Sequence, residues 1–326
     1  MEESKLRLGI FKMNKEQKQS IIKAGQISAE VKKYARTFIK KGTPILEIAD
    51  KIEAKIIELG GKIAFPTTTS INEVAAHYTP SYNDETKAHG LIKIDLGVHI
   101  NGYIADTAFS LDLENNEENK KLIEASQKAL NNAIELIKNK FEVVVGDVVA
   151  KDSGTNGGLT TNQIGKVVQE TIESKGFSPI INLSGHEMKQ NELHAGLNIP
   201  NIDDKKEIIL KKGLYAIEPF ATNGNGKVHD GKPSGIYIVT DSKNIRSSIA
   251  REVLEFILEE YYTLPFCSRW LVKKFGVKAL FGLRQLEENG NLHHFQQLIE
   301  TGKGKVAQTE NTILIDDEVR VTSKED

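Results

Sequence analysis

The sequence predicts an α+β fold with two related halves around one sheet and a small helical insert. Three observations predict it. Amphipathic helices alternate with strand-length apolar runs. Two helix–strand units repeat the same spacing. A group of short helices then interrupts the second half.

Taken in order, periodicity predicts a first helix over 15–40, where Ile21, Ala24, Ile27, Val31, Tyr34, Ala35 and Phe38 recur at three- and four-residue spacing. A second helix begins at Thr43-Pro44. Thr43 can cap the free amides, and Pro44 suits the first helical position. Its buried face is Ile45, Ile48, Ile52, Ile56 and Leu59, and Gly60-Gly61 stops it. Residues 91–109 then form two β-prone runs around Asn101-Gly102, a strong hairpin signal. A third helix spans about 116–140.

The second half repeats the plan. In a helix over 161–175, Ile164, Val168, Ile172 and Gly176 carry the spacing of Ile48, Ile52, Ile56 and Gly60. Gly213-Leu-Tyr-Ala-Ile-Glu218 matches Gly90-Leu-Ile-Lys-Ile-Asp95, so each half places an acid at the same point. Helices at 248–261, 266–275 and 277–289 make the insert, and 306–321 returns to strand pattern. Gly154-Thr-Asn-Gly-Gly158 reads as a surface loop. Residues 1–234 with 300–326 therefore form the main body, and 235–299 the insert subdomain.

Composition narrows the function. Of the 326 residues 39% are apolar and 27% charged, as in ordinary globular proteins. Lys and Arg number 43 against 45 Asp and Glu, so no bulk attraction to nucleic acid or membrane is expected. A single cysteine, Cys267, excludes an internal disulfide and suits a reducing cytoplasm. The apolar runs are far short of a membrane span, and the N-terminal segment has no apolar signal core. The expectation is a soluble, cytoplasmic protein.

The chemistry lies in acids and histidines. If Asn101-Gly102 is a two-residue turn, 97 faces 106, and Asp95 and Asp106 become diagonal neighbours on one sheet face. Two acids side by side among apolar strands repel and resist burial. Either that face is solvated or it binds a cation, since hard divalent ions favour carboxylate oxygen. Glu218 and Glu310 also sit in strand-like surroundings, where glutamate is uncommon. His186 and His194 have neighbouring glycines but not the spacing of a helical zinc pair. Spacing alone does not assemble these residues into one group.

A resemblance does. Phe65-Pro-Thr-Thr-Thr-Ser-Ile-Asn72, Ala75-Ala-His-Tyr-Thr-Pro80, residues 93–108, Gly185-His186 with His194-Ala-Gly196, Ile217-Glu-Pro-Phe220 and Ala307-Gln-Thr-Glu310 resemble the methionine aminopeptidases. The likeness runs from about Gly25 to the end. It implies the pita-bread fold, a pseudo-twofold antiparallel sheet backed by helices. It implies two divalent metal ions (Co, Mn, Fe, Ni or Zn) on Asp95, Asp106, His186, Glu218 and Glu310. Two such ions offset four carboxylate charges. His77 and His194 match substrate-contacting and catalytic histidines, Glu218 handles protons as well as metal, and Phe65 matches a wall of the methionine pocket.

The long interval between Glu218 and Glu310, with its helices, resembles the type II class in its compact archaeal form. Asn311 stands where a histidine is usual, and Phe295-Gln-Gln-Leu298 where Tyr-Pro-x-Leu is usual, which puts the pocket rim in question. The implied substrates are nascent polypeptide N-termini with a small second residue. No motif encodes a ribosome contact, though such a substrate would suit one, and a monomer is the family's habit. Two alternatives stay open. One is a prolidase or aminopeptidase P of the same fold, and the other a non-catalytic relative that binds RNA or ribosomes.

Overall fold

The computed structural model describes residues 13–145, 148–151 and 158–325. Residues 154–157 of the expected glycine-rich loop lie outside them. The first half contains α1 (Lys15–Phe38), α2 (Ile45–Glu58), β1 (Lys62–Ile71), β2 (Val74–Ala76), β3 (Leu91–Ile100) and β4 (Tyr103–Asp112). Next come α3 (Glu117–Phe141), β5 (Glu142–Val145), β6 (Val148–Lys151), α4 (Thr161–Ser174), β7 (Ser178–Pro179), β8 (Ser184–Met188) and β9 (Asn198–Pro200). They are followed by β10 (Gly213–Ile217), β11 (Phe220–Thr222) and β12 (Val228–Val239). The insert helices are α5 (Ser248–Glu260), α6 (Ser268–Phe275) and α7 (Lys278–Glu288), with β13 (Phe266–Cys267) between α5 and α6. The chain closes on β14 (Leu292–Glu300), β15 (Val306–Gln308), β16 (Asn311–Ile315) and β17 (Val319–Val321).

Local chemistry explains the helix ends. Asn14 and Gln17 form a reciprocal capping box that satisfies two free amides of α1. Gly60 and Gly176 take the same left-handed φ of 82° just past α2 and α4, so the expected repeat holds at both helix stops. Two expectations fail. Pro44 occupies the cap position itself, and the Thr43 hydroxyl accepts from the Lys40 amide instead of capping α2. Residues 266–267 are strand rather than helix, because they pair with Ile236 and Tyr237 of β12 before α6 begins.

Each half is a sheet covered by helices. In the first, Ile48, Ile52 and Ile56 of α2 and Ala24, Ile27 and Val31 of α1 bury against Ile92, Ile94 and Val98 of β3. Full burial of each such isoleucine contributes about 1.5–3 kcal/mol. In the second, Leu122, Ala129 and Leu130 of α3 and Ile164 and Val168 of α4 cover Tyr215 and Ile313. The insert has its own core, including Val253, Ile257, Leu271 and Leu283, against Tyr237 and Leu292 of β12 and β14.

The sheet is not one continuous ladder. The order β1-β3-β4 makes one sheet and β17-β16-β10-β8-β9 another. They meet where β4 faces β16, and side-chain hydroxyls supplement sparse backbone bonding there. The Thr312 hydroxyl accepts from the Asp106 amide at 2.7 Å and donates to the Asp106 carbonyl at 2.7 Å. The Thr107 hydroxyl donates to the Glu310 carbonyl at 2.8 Å. Behind this seam the buried Lys32 of α1 donates to Thr107 Oγ1 at 2.8 Å and Asn311 Oδ1 at 3.2 Å.

Helix α1 also touches the chain just past β17 through a glycine. A Cβ at Gly25 would lie 2.3 Å from the Thr322 carbonyl oxygen, which is backbone and cannot rotate away. Gly25→Ala is therefore expected to lower stability by roughly 1–3 kcal/mol. Urea unfolding with an unchanged slope would show it, and an unshifted midpoint would contradict this packing.

Candidate metal centre

The hairpin is built as the turn residues dictate. Asn101 and Gly102 take φ of 53° and 81°, the two positive values of a tight hairpin turn. The register then pairs Gly97 with Asp106 and Asp95 with Ala108, without a bulge. Asp95 and Asp106 share a face as diagonal neighbours. The second sheet supplies the rest. His186 lies on β8 opposite Ala216, Glu218 directly follows β10, and Glu310 directly precedes β16. Glu310 is pinned against the hairpin by its amide, which donates to the Ala108 carbonyl at 3.0 Å.

These residues converge. Potential ligand atoms of Asp106, His186 and Glu310 all lie within 4.8 Å of one another. His186 Nε2 is 3.5 Å from Asp106 Oδ2 and 3.9 Å from Glu218 Oε1. Gln308 Nε2 spans Asp95 Oδ2 at 3.3 Å and Glu218 Oε2 at 3.4 Å. Burial, then mutual repulsion, pushes Asp95, Glu218 and Glu310 well above the usual carboxylate range. Asp106 is pushed to about 7, again chiefly by burial. Burial lowers His186 to about 4, which leaves the imidazole neutral and able to ligate. Asp95 Oδ1, Asp106 Oδ1 and Glu310 Oε2 are buried without a hydrogen-bond partner. Orphaned carboxylate oxygens beside a neutral imidazole fit a divalent cation.

One cavity of about 240 Å³ is lined by all eight residues singled out in the sequence: Phe65, His77, Asp95, Asp106, His186, His194, Glu218 and Glu310. Gly97 makes room for the wall, since a Cβ there would lie 2.3 Å from the Phe65 ring. His77 holds a left-handed φ of 63°, a strained setting for a non-glycine residue. Its Nδ1 lies 3.2 Å from the Gln296 carbonyl, which only a ring N–H can satisfy, so Nε2 is left free. Burial lowers His77 to about 4 and His194 to about 3, so both rings are neutral at neutral pH. The His194 ring packs 4.3 Å from that of His186.

Two participants escaped the sequence reading. Gln308 was visible only as part of a matching stretch, and no spacing rule links it to Asp95. Lys32 did carry a signal, because it follows Ser28 by one helical turn on the buried stripe of α1. The rim expectation divides. Phe295 lines the cavity, but Asn311 turns towards α1, accepting from Lys32 Nζ and from Ser323 Oγ at 3.0 Å.

Residues 19–317 match metallopeptidase family M24. A methionine aminopeptidase of Thermococcus onnurineus is 42% identical over 308 residues, covering 93% of this chain and 98% of the relative. One from Methanocaldococcus jannaschii is 41% identical, covering 94% and 98%. The chain belongs to metallopeptidase family M24.

Solved structures agree on the fold. A methionine aminopeptidase from Thermotoga maritima aligns over 97% of this chain and all of its own, with a TM-score of 0.65 and 20% identity. A thermophilic Arx1 aligns over 95% and 91%, with a TM-score of 0.82 and 17% identity. A prolidase from Pyrococcus furiosus covers 96% of this chain but only 65% of its own, with a TM-score of 0.56 and 18% identity. The mixed helices and antiparallel sheets are thus the pita-bread fold. As an M24 member the chain is a hydrolase of the metallopeptidase type, which uses divalent metal. No described helix is long and apolar enough to cross a membrane.

Protons compete with metal for these carboxylates. With Asp106 raised to about 7 in the metal-free protein, metal binding releases protons, and affinity falls as pH drops below about 7. Calorimetric titration with Mn²⁺ at pH 8 and pH 6 is expected to show about tenfold or greater weakening at the lower pH. Equal affinity at both would contradict the assigned ligands.

Proposed function

We propose that this protein removes the N-terminal methionine from proteins and peptides, with two divalent ions on Asp95, Asp106, His186, Glu218 and Glu310. One observation carries the reading: a cavity joining these five side chains to two neutral histidines and an apolar wall, in a chain over 40% identical to methionine aminopeptidases along nearly its whole length.

Divalent ions bound there supply Lewis acidity and lower the pKa of water to the neutral range. The chain's own groups do the rest. Glu218 lines the cavity at the mouth of the cluster, where its carboxylate can take a proton from the attacking water and return it to the leaving amine. The free Nε2 of His77 orients the substrate at the scissile amide. His194 donates a hydrogen bond to the carbonyl oxygen as charge develops on it. Phe65, Ile236, Phe295 and Leu298 form an apolar surface that a flexible thioether can fill. The helices between Glu218 and Glu310 support a place in the type II class. The substrates are nascent N-termini with a small second residue, met in the cytoplasm by a monomer.

Prolidases share the fold, so substrate decides between the two activities. With Mn²⁺ or Co²⁺ present, the protein is expected to cleave Met-Ala-Ser and leave an Xaa-Pro dipeptide intact. The reverse preference would overturn the reading. Glu218→Ala and Asp106→Ala are expected to lose roughly 100- to 10000-fold in kcat. His77→Ala is expected to lose activity while binding Mn²⁺ as the wild type does.

A further inference from the structure

We infer that the ion pair between Glu53 of α2 and Arg269 of α6 positions the apolar side of the cavity and so sets substrate affinity independently of the metal site. The inference rests on the peptidase reading given above.

Arg269 is fully buried, and its guanidinium makes four hydrogen bonds. Nη1 and Nη2 donate to the two Glu53 oxygens at 2.8 and 2.7 Å, Nη1 also to Asp50 at 2.8 Å, and Nε to the Pro80 carbonyl at 3.2 Å. Glu53, only 5% exposed, also accepts from Trp270 Nε1 at 2.8 Å and from the Thr67 amide at 3.3 Å. Three segments branch from this unit, and each ends on the cavity. Thr67 lies in β1 between the wall residues Pro66 and Thr68, two residues beyond Phe65 in the same run. Pro80 ends the irregular segment that begins at the strained His77, and the Thr79 hydroxyl donates to the Thr67 carbonyl at 2.8 Å. On the insert side β13 precedes α6 and pairs with Ile236, and Ile236 and Pro265 both line the cavity. None of these bonds reaches Asp95, Asp106, His186, Glu218 or Glu310.

Burial of such a pair is weak evidence for a stabilising role, because well-packed apolar replacements are often as stable. A planar fork on a carboxylate instead fixes distance and direction together. Here it fixes α6 against β1 and the end of the segment 77–80. Walls that hold the substrate side chain equally before and during reaction act on KM and leave kcat alone.

The test compares the wild type with Glu53→Met/Arg269→Met, which removes both charges at similar volume, and with Arg269→Lys, which keeps the charge but loses the fork. For the double variant we expect a urea midpoint near that of the wild type and Mn²⁺ affinity within about twofold. KM for Met-Ala-Ser should rise about tenfold or more, with kcat within about threefold. Arg269→Lys should raise KM in the same direction, and it decides the matter if the double variant does not fold. Amide hydrogen exchange at 64–80 and 264–268 gives a readout that needs no substrate, and faster exchange there is expected in both variants. An unchanged KM in a folded variant, unchanged exchange in those segments, or loss of Mn²⁺ affinity together with KM would overturn the inference. Failure of the wild type to cleave Met-Ala-Ser would sink the peptidase reading instead, and exchange would still decide the positioning role.

Discussion

Four carboxylates buried in one small space govern this molecule. Each is costly to desolvate, and each raises the cost of ionising the next. The protein offers them little relief: Gln308 spans two of them, and three of their oxygens have no partner. Protons relieve part of this repulsion in the metal-free protein, and divalent cations relieve it by neutralising the carboxylates in their charged form. The rest of the fold can be read as the framework that keeps these acids close despite their repulsion.

That framework works through a seam rather than a ladder. Asp106 and Glu310 come from different sheets, and side-chain hydroxyls of Thr107 and Thr312 join the strands that carry them. Residues next to the acids point to the opposite face of the sheet, as strand alternation requires. There Lys32 binds Thr107 and Asn311 together. Its own burial lowers it to about 8. The pseudo-twofold plan shows at the same place: one half gives Asp95 and Asp106 within a hairpin, and the other gives Glu218 and Glu310 at the facing ends of β10 and β16.

How much was legible in the sequence depends on how local the determinant was. The hairpin register was legible to the residue, because a two-residue Asn-Gly turn leaves no freedom in which residues face each other. The stops of α2 and α4 were legible in Gly60 and Gly176 for the same local reason. The meeting of His186, Glu218 and Glu310 with that hairpin was not, because it follows from the order of strands across two sheets. Only the resemblance to a family brought those residues together in advance. The cap of α2 and the start of α6 were misread where backbone pairing overrode intrinsic preference. At 266–267 the partner strand β12 decides the conformation. The Asn311 departure looked like a change to the pocket rim, yet its side chain belongs to the seam with Lys32.

The central claim is that these acids exist to hold divalent cations at the floor of the cavity. Anomalous diffraction from crystals soaked in zinc tests it most directly. The account predicts the strongest anomalous peaks among Asp95, Asp106, His186, Glu218 and Glu310, with carboxylate oxygens at about 2.0–2.2 Å from the metal. Peaks confined to other parts of the protein, with none at this cluster under saturating zinc, would contradict it.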